Sequence, residues 1–283
     1  MKKKIAALSM AACMAASVTA CGGSKPAETT AAATEAETTA AESAAEESSA
    51  EETKAAADIE TVTPGKLTVA TSPDFAPYEF YAIGEDGTPK LAGFDMDLAQ
   101  YIADYLGLEL EVVTVDFDGV ISELQTKSVD LGMAGLSPDE KRMGIMDFSD
   151  LYYMGGQSLV TVKDNAEKYN SFEAINKPDV SVGAQVGSIQ MDLANENSPE
   201  ADIVGLPKVT DIISELLTGK MDAAYIETDV AKSYQKNYPE LTLVMDVPYD
   251  AEGSAIGVCK GNEALLAGVN EAIAAAKEDE VHC

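Results

Sequence analysis

The chain has 283 residues and a formal net charge of −30, because 49 Asp and Glu residues stand against 19 Lys and Arg residues. Nucleic acids select basic surfaces, so this charge argues against a nucleic-acid partner. The four cysteines form no dense disulfide framework, and the single histidine, His282, lies in the tail. We therefore expect no His-based triad, no metal site and no cofactor.

The N-terminus has the pattern of a targeting segment. Three lysines at 2–4 precede an apolar run at 5–20 that is too short and too rich in alanine to span a membrane. The run ends in the residues Val-Thr-Ala before Cys21, which resembles the lipobox of bacterial lipoproteins. By that resemblance residues 1–20 are a signal peptide and Cys21 carries lipid. An ordinary signal peptide with a chance cysteine is the alternative.

Residues 22–63 are of low complexity, rich in Ala, Glu, Thr and Ser, and they contain no aromatic side chain. Such a segment buries too little apolar surface to offset its chain entropy. We expect residues 21–63 to be a lipidated cysteine followed by a disordered acidic tether. A single Ala/Glu helix is the alternative, which the many Thr and Ser residues disfavour.

Strand and helix patterns alternate from residue 66 onward, which predicts an α/β fold. One helix presents Phe94, Leu98 and Ile102 on a common face and stops at Gly107. The predicted strands are 66–71, 108–115, 130–134, 180–184, 222–226, 241–246 and 255–259. The other predicted helices begin near residues 120, 137, 188, 210, 229 and 262.

The most informative segment begins at the small-residue turn of Gly135. Ser137 is predicted to cap a helix, with Pro138 at its first position and Glu140 completing a capping box. Arg142 follows on the first turns. A helix N-terminus beside a guanidinium is suited to a carboxylate, which Arg can hold with two parallel hydrogen bonds. The alternative is a surface Arg on an ordinary capped helix.

Several motifs occur in a fixed order between residues 64 and 277. They are VATSPDFAPYEF at 69–80, GFDMDL at 93–98, DFDGVI at 116–121, the segment 134–150 ending in DFSD, GS at 187–188 and GKMDA at 219–223. Together they resemble the polar amino-acid-binding family (family 3) of bacterial extracellular solute-binding proteins of ABC transporters.

The resemblance implies a two-lobed fold of the periplasmic-binding-protein type II, with the ligand in the cleft between the lobes. Lobe 1 would be discontinuous, formed by residues 64–157 and 254–283. Lobe 2 would comprise residues 161–249. Two crossing hinge strands would lie near residues 157–160 and 250–254.

The resemblance also implies a site for a zwitterion. Arg142 would hold the α-carboxylate, and Glu227, where the family often has Asp, would receive the α-ammonium. For the aromatic residues Phe75 and Phe117, the alternative is a role in the hydrophobic core. For Glu227, the alternative is a solvated loop position, and Asp229 is then the nearest substitute. The implied ligand-binding residues are Ser72, Phe75, Phe117, Gly135, Ser137, Arg142, Gln185, Gly187, Ser188 and Glu227.

The motifs say less about which amino-acid side chain the site would select in its ligand than about how it would hold the carboxylate and the ammonium. Ser72 occupies a position that is often Asp in binders of basic amino acids, which argues against lysine or arginine as ligand. Asp74 and Asp118 remain available to a polar or cationic group. Gly187 and Ser188 would open a helix whose N–H groups approach the carboxylate from the second lobe.

The resemblance thus predicts a monomeric, lipid-anchored binding protein on the extracytoplasmic face of the bacterial membrane, and not an enzyme. It would capture a free L-amino acid and deliver it to an ABC permease. A fold-related amino-acid dehydratase and a sensory amino-acid-binding module are the alternatives. The chain ends earlier than the family pattern, which suggests a truncated or frame-shifted end, and a Cys259–Cys283 disulfide stays open.

Overall fold

A computed structural model describes residues 59–250 and 253–278. The predicted signal peptide, Cys21 and nearly all of the predicted tether lie outside these residues, as does Cys283. The described residues form two five-stranded sheets, each with its own helices, and a small antiparallel sheet. The predicted α/β class and two-lobed architecture are confirmed. In this part of the chain no helix has both the length and the apolar composition that a membrane span requires.

The first sheet has the strand order β5-β1-β6-β13-β7. Its central strand, β1, pairs in parallel with β5 and β6, and five of its six residues are buried. β13 runs antiparallel to β6 and β7. The bounds are β1 (Lys66–Thr71), β5 (Glu109–Thr114), β6 (Leu131–Gly132), β7 (Met146–Phe148) and β13 (Gly257–Cys259).

Three helices cover the first sheet: α1 (Phe94–Tyr105), α2 (Phe117–Thr126) and α8 (Glu263–Glu278). Leu98 and Ile102 of the predicted apolar face of α1 are buried against α8 and β1 in one hydrophobic cluster, whereas Phe94 is half-buried and packs on Tyr78. α1 ends where predicted, because Gly107 adopts a φ of +67° that stops the helix. We call this assembly the first lobe.

The second sheet has the strand order β10-β9-β11-β8-β12. β9 pairs in parallel with β10 and β11, whereas β8 is antiparallel to both of its neighbours. The bounds are β8 (Gln157–Val162), β9 (Ser181–Gln185), β10 (Asp202–Leu206), β11 (Ala223–Glu227) and β12 (Leu241–Val247). Sequence patterns did not predict β10, whose alternation is weak.

Short and medium helices cover this second sheet, and we call the assembly the second lobe. They are α4 (Phe172–Ile175), α5 (Ile189–Asn197), α6 (Val209–Leu217) and α7 (Thr228–Asn237). Apolar residues of α6 and α7 pack on β8 and β11 in a second hydrophobic cluster, which Phe75 and Tyr78 of the first lobe also enter. The lobes are thus in direct contact.

A three-stranded antiparallel sheet follows β1 directly. Its strands are β2 (Asp74–Phe75), β3 (Glu79–Ile83) and β4 (Pro89–Ala92). These short strands were not predicted, since the motif at 69–80 suggested only ligand contacts. β2 places Asp74 and Phe75 against α6 of the second lobe.

The helix that contains Arg142 differs from the prediction. α3 (Glu140–Met143) begins after Asp139, whose carboxylate accepts a hydrogen bond from the backbone N–H of Arg142 at 2.9 Å. The prediction of Ser137 as cap, with a capping box to Glu140, is wrong. Aspartate is as good a cap as serine, and the Asp139 carboxylate also lies 3.1 Å from Nε of the Arg142 side chain.

Two carboxylates are buried together in the first lobe. Asp95 accepts hydrogen bonds from the hydroxyl of Tyr152 at 2.7 Å and from the N–H of Gly135 at 3.2 Å. Neither carboxyl oxygen of Glu79 has a hydrogen-bond partner among the described residues, and its side chain is fully buried. Burial, and then the charge of Asp95, raise the pKa of Glu79 well above its usual value. Burial raises the pKa of Asp95 to about 6.

We predict that Glu79→Gln stabilises the protein above neutral pH. A carboxyl with a raised pKa in the fold takes up a proton on folding, so its contribution falls as pH rises above the unfolded value near 4.3. The amide is a neutral isostere of the protonated acid. The variant should gain more than about 1 kcal/mol at pH 8 and little at pH 5 in denaturant unfolding.

Glu85→Gln is the matched control, because it removes the same charge from the exposed loop between β3 and β4. It should leave the pH dependence of stability unchanged. Equal slopes for wild type and Glu79→Gln would show that Glu79 is ionised in the fold.

Candidate functional site

Arg142 is the single arginine of the chain, and it is buried to 6% exposure between the two lobes. Its Nη1 donates to the backbone oxygen of Ser137 at 2.9 Å, within the first lobe. Its Nη2 donates to the backbone oxygen of Gly187 at 3.0 Å, in the second lobe. Nε lies 3.1 Å from Oδ2 of Asp139. The guanidinium is therefore held in position by hydrogen bonds to both lobes.

This fixed guanidinium retains hydrogen-bonding capacity. Nη1 and Nη2 each carry a second N–H, for which the described residues supply no acceptor. The ring of Phe117, at the start of α2, lies with its centroid 5.5 Å from the guanidinium carbon. Phe117 is itself buried, so one face of the cation is shielded from water, which strengthens its attraction for an anion.

The turn of Gly187 brings the second lobe to this cation. Gly187 has a φ of +77°, a conformation that favours glycine, and it directs its carbonyl at Arg142. Ser188 caps α5, accepting from Met191 N at 3.3 Å, and its hydroxyl donates to the backbone oxygen of Gln185 at 2.7 Å. The first N–H groups of α5 have no acceptor within the helix, as at any helix start.

Gly135 and Phe75 are in close contact in the first lobe. Gly135 has a φ of +56°, and a Cβ placed there would lie 2.8 Å from Cε1 of Phe75. The backbone therefore approaches the ring as only a glycine permits. Phe75 also packs against Tyr78, with ring centroids 5.3 Å apart, and it belongs to the hydrophobic cluster of the second lobe.

Glu227 is a buried carboxylate at the start of α7. Its Oε2 accepts from Val230 N at 2.7 Å, which caps the helix, and its Oε1 accepts weakly from Gly156 N at 3.4 Å. Burial raises the pKa of Glu227 to about 7. It is not a solvated loop residue. Asp229, the predicted substitute, is engaged by the hydroxyl of Tyr153 at 2.8 Å and by Lys232 at 3.0 Å.

Ser72 and Gln185 both donate hydrogen bonds to Asp74, which the sequence did not single out as a principal site residue. The hydroxyl of Ser72 donates to Oδ1 of Asp74 at 3.0 Å, and Nε2 of Gln185 approaches Oδ2 of Asp74 at 3.3 Å. Ser72 and Asp74 line a cavity of about 490 Å³, together with Asp116, Lys208 and Thr210. Its lining includes two carboxylates and one lysine.

The predicted site residues thus fall into contact groups. Arg142 directly contacts Phe117 and the backbones of Ser137 and Gly187. Phe75 contacts Gly135, while Ser72 and Gln185 share Asp74. No hydrogen bond or ion pair of the described residues joins Glu227 to Arg142. Sequence reasoning missed Asp139, although an Asp three residues before Arg142 is itself a cap signal.

Within residues 59–250 and 253–278, no group of three or more His, Cys, Asp and Glu side chains has an arrangement that could hold a metal ion. Cys259 is buried in β13 and lies beside Leu124 of α2. The predicted alternative of a bond to Cys283 falls outside the described residues.

The family model for bacterial extracellular solute-binding proteins, family 3, matches residues 67–282. The match covers most of the chain and includes both sheets and every predicted ligand-binding residue. The chain belongs to this family, and it is a solute-binding protein.

Two relatives connect the family to amino acids. The chain is 35% identical over 202 residues to the arginine-binding extracellular protein ArtP of Bacillus subtilis, with 70% of this chain and 76% of that protein covered. It is 34% identical to the amino-acid ABC transporter substrate-binding protein AbpA of Streptococcus pneumoniae, solved bound to L-arginine. That structure superposes with a TM-score of 0.73 and covers 76% of this chain and 90% of that one.

An enzyme is also among the relatives. The chain is 29% identical over 180 residues to the cyclohexadienyl dehydratase of Pseudomonas aeruginosa, with 64% of this chain and 66% of the enzyme covered. The fold therefore supports both binding and catalysis, and the site has to be judged by its own residues.

Proposed function

We propose that the protein captures a free L-amino acid between its two lobes, with the α-carboxylate on Arg142. The observation that carries this proposal is the buried guanidinium that donates to the backbone of both lobes and keeps an N–H on each Nη. A carboxylate beside it would form charge-assisted hydrogen bonds in a shielded site. The orphan N–H groups at the start of α5 add a second positive end.

Glu227 is the proposed partner of the α-ammonium. It is buried at the start of α7, and this burial raises the pKa of its carboxyl to about 7. An ammonium placed beside it would favour the charged carboxylate and so lower the pKa again. Aromatic rings of Phe75 and Phe117 would exclude water from the two ion pairs.

L-arginine is the amino acid that we propose first. ArtP is named for arginine, and the AbpA structure holds it. Ser72 argued against a cationic side chain, but the cavity that Ser72 lines supplies the carboxylate of Asp116 in place of an aspartate at 72. Binding of an amino acid without a cationic side chain, such as glutamine, would instead agree with the expectation from Ser72 that lysine and arginine are not ligands.

The proposed role is delivery of the captured amino acid to an ABC permease by a monomeric protein anchored through Cys21. The lobes would comprise residues 64–157 with 254–283, and residues 161–249. The crossings near 157–160 and 250–254 would act as hinges. Residues 157–160 lie at the start of β8, and the bridge between Tyr153 and Ser254 lies just before that strand. The family's extracellular location supports an anchor outside the cytoplasm.

We predict that thermal-shift screening of the twenty amino acids identifies a ligand, with arginine giving the largest rise in Tm. A ligand at 100 times its Kd adds roughly 2.7 kcal/mol to the stability of the fold. Arg142→Lys should weaken binding at least about 100-fold, because a point charge replaces two directed hydrogen bonds. The bound amino acid should be recovered unchanged, as expected for a binding protein.

Lys141→Ala is the control, since it removes one positive charge from the exposed neighbour of Arg142. It should bind within about two-fold of wild type. Undiminished binding by a folded Arg142→Lys variant would refute the carboxylate assignment, and no response to any amino acid would refute the ligand class.

We predict that ligand binding releases a proton at pH 6.5 and strengthens as pH rises toward 8. Glu227 is largely protonated below its pKa of about 7, and the ammonium requires the charged form. Calorimetry in buffers of different ionisation enthalpy measures the release. Glu227→Gln should abolish it and still cap α7 through the amide oxygen.

Asp229→Asn tests the alternative acceptor. It should leave the proton release intact, because Asp229 is held by Tyr153 and Lys232. Proton release that survives Glu227→Gln but disappears in Asp229→Asn would assign the ammonium to Asp229 instead.

We predict that Cys21→Ala moves the protein from the membrane fraction to the soluble fraction of the cells that express it. Lipid on Cys21 would be the anchor, so its loss should remove membrane association. Cys13→Ala, within the predicted signal peptide, is the matched control and should stay in the membrane fraction. Membrane association that persists in Cys21→Ala would show that the lipobox resemblance is misleading.

A further inference from the structure

Asp74 is a buried carboxylate whose partners come mainly from the opposite lobe. It lies in β2 of the first lobe and is 8% exposed. Its Oδ2 accepts from the backbone N–H of Val209 at 2.5 Å and from Nε2 of Gln185 at 3.3 Å, both in the second lobe. Its backbone oxygen accepts from the hydroxyl of Tyr234 at 2.8 Å, also in the second lobe.

The bond to Val209 supplies α6 with the N-terminal acceptor that its own sequence lacks. The N-cap residue of α6, Lys208, makes no side-chain cap hydrogen bond. Val209 is the first residue of the helix, so its N–H has no acceptor within α6. A carboxylate at this end also interacts favourably with the helix dipole. The helix is thus completed by a residue 135 positions earlier in the chain, on the other lobe.

The exposed ion pairs between the lobes are weaker than these buried hydrogen bonds. Lys141 pairs with Asp192 at 2.8 Å and Lys208 with Asp116 at 3.7 Å, and all four side chains are about half exposed or more. Exposed ion pairs contribute little and are screened by salt. Asp74 is desolvated by contact with the second lobe, and its bonds are charge-assisted, so they are stronger.

Asp74 also touches the ligand site. Ser72 and Gln185, two of the predicted ligand-binding residues, both donate to its carboxylate. The contacts of Asp74 with Gln185, Val209 and Tyr234 exist only when the lobes are together. Separation of the lobes would return the carboxylate to water and leave the N–H of Val209 without it.

We propose that Asp74 is the closure latch of the protein: it holds the lobes together by capping α6 of the second lobe and thereby sets how slowly a trapped ligand leaves. This proposal rests on the proposed function, since closure traps the amino acid. It assigns to Asp74 a positioning role, with no required contact to the ligand.

The experiment compares Asp74→Ala and Asp74→Asn with the wild-type full chain. Stopped-flow competition measures the association and dissociation rates of the amino acid found by thermal-shift screening. Asp74→Ala should raise the dissociation rate at least about ten-fold and change the association rate less than about two-fold. Asp74→Asn should be intermediate, because its amide oxygen still accepts from Val209. Asp192→Ala, the control that removes the exposed pair with Lys141, should change neither rate by more than about two-fold.

A second pair of variants removes the donor instead of the acceptor. Val209→Pro deletes the N–H at the first helical position, where proline is well tolerated, and Val209→Ala controls for the lost side-chain packing. The preceding residue, Lys208, already has the extended backbone that proline requires. Val209→Pro should release ligand several-fold faster than Val209→Ala. Equal dissociation rates in this pair would overturn the proposal even if Asp74→Ala fails to fold.

Small-angle scattering of the unliganded proteins separates this proposal from the proposed function. Loss of the latch should shift the population toward open forms, so Asp74→Ala should have a larger radius of gyration than wild type and Asp192→Ala should not. If no amino acid binds but this difference is present, the latch stands and the ligand assignment fails. If ligand binds but neither the radius nor the dissociation rate differs, the latch is refuted.

Discussion

The arrangement of the site depends on one hydrogen-bonded cation, Arg142. Its side chain donates to Ser137 in one lobe and to Gly187 in the other, so its position is correct only when both lobes are in place. The cap residue Asp139 sets the start of α3 and also lies against Nε. The cost of burying a guanidinium is offset by these partners, which leave it oriented and still able to accept an anion.

The acidic character of the chain is present in its interior as well as on its surface. Glu79, Asp95, Asp74 and Glu227 are all buried, and burial raises the pKa of each. They have different local roles: Asp95 accepts from Tyr152 and Gly135, Asp74 completes α6, and Glu227 caps α7, whereas Glu79 is buried without a hydrogen-bond partner among the described residues. Only Glu227 is proposed to meet the ligand, which fits its position at the carboxyl end of β11.

Much of the fold could be predicted from the sequence, because β1, α1 and most elements of the second lobe have clear apolar periodicity. The small sheet of β2 to β4 and strand β10 were missed, since short strands with weak alternation do not stand out. The cap of α3 was misplaced because Ser137 and Asp139 both carry cap chemistry, and only the folded structure shows that the Asp139 carboxylate accepts from the backbone N–H of Arg142. The role of Asp74 was out of reach, since its partners Gln185 and Val209 lie more than a hundred residues away.

A thermodynamic cycle tests the central claim, that Arg142 binds the α-carboxylate, most directly. Calorimetry would compare L-arginine, or whichever amino acid binds, with its decarboxylated analogue, in wild type and in Arg142→Lys. We expect loss of the carboxylate to weaken binding strongly in wild type and much less in the variant, with a coupling energy above about 1.5 kcal/mol. Additive effects, with the carboxylate equally important in both proteins, would contradict the account.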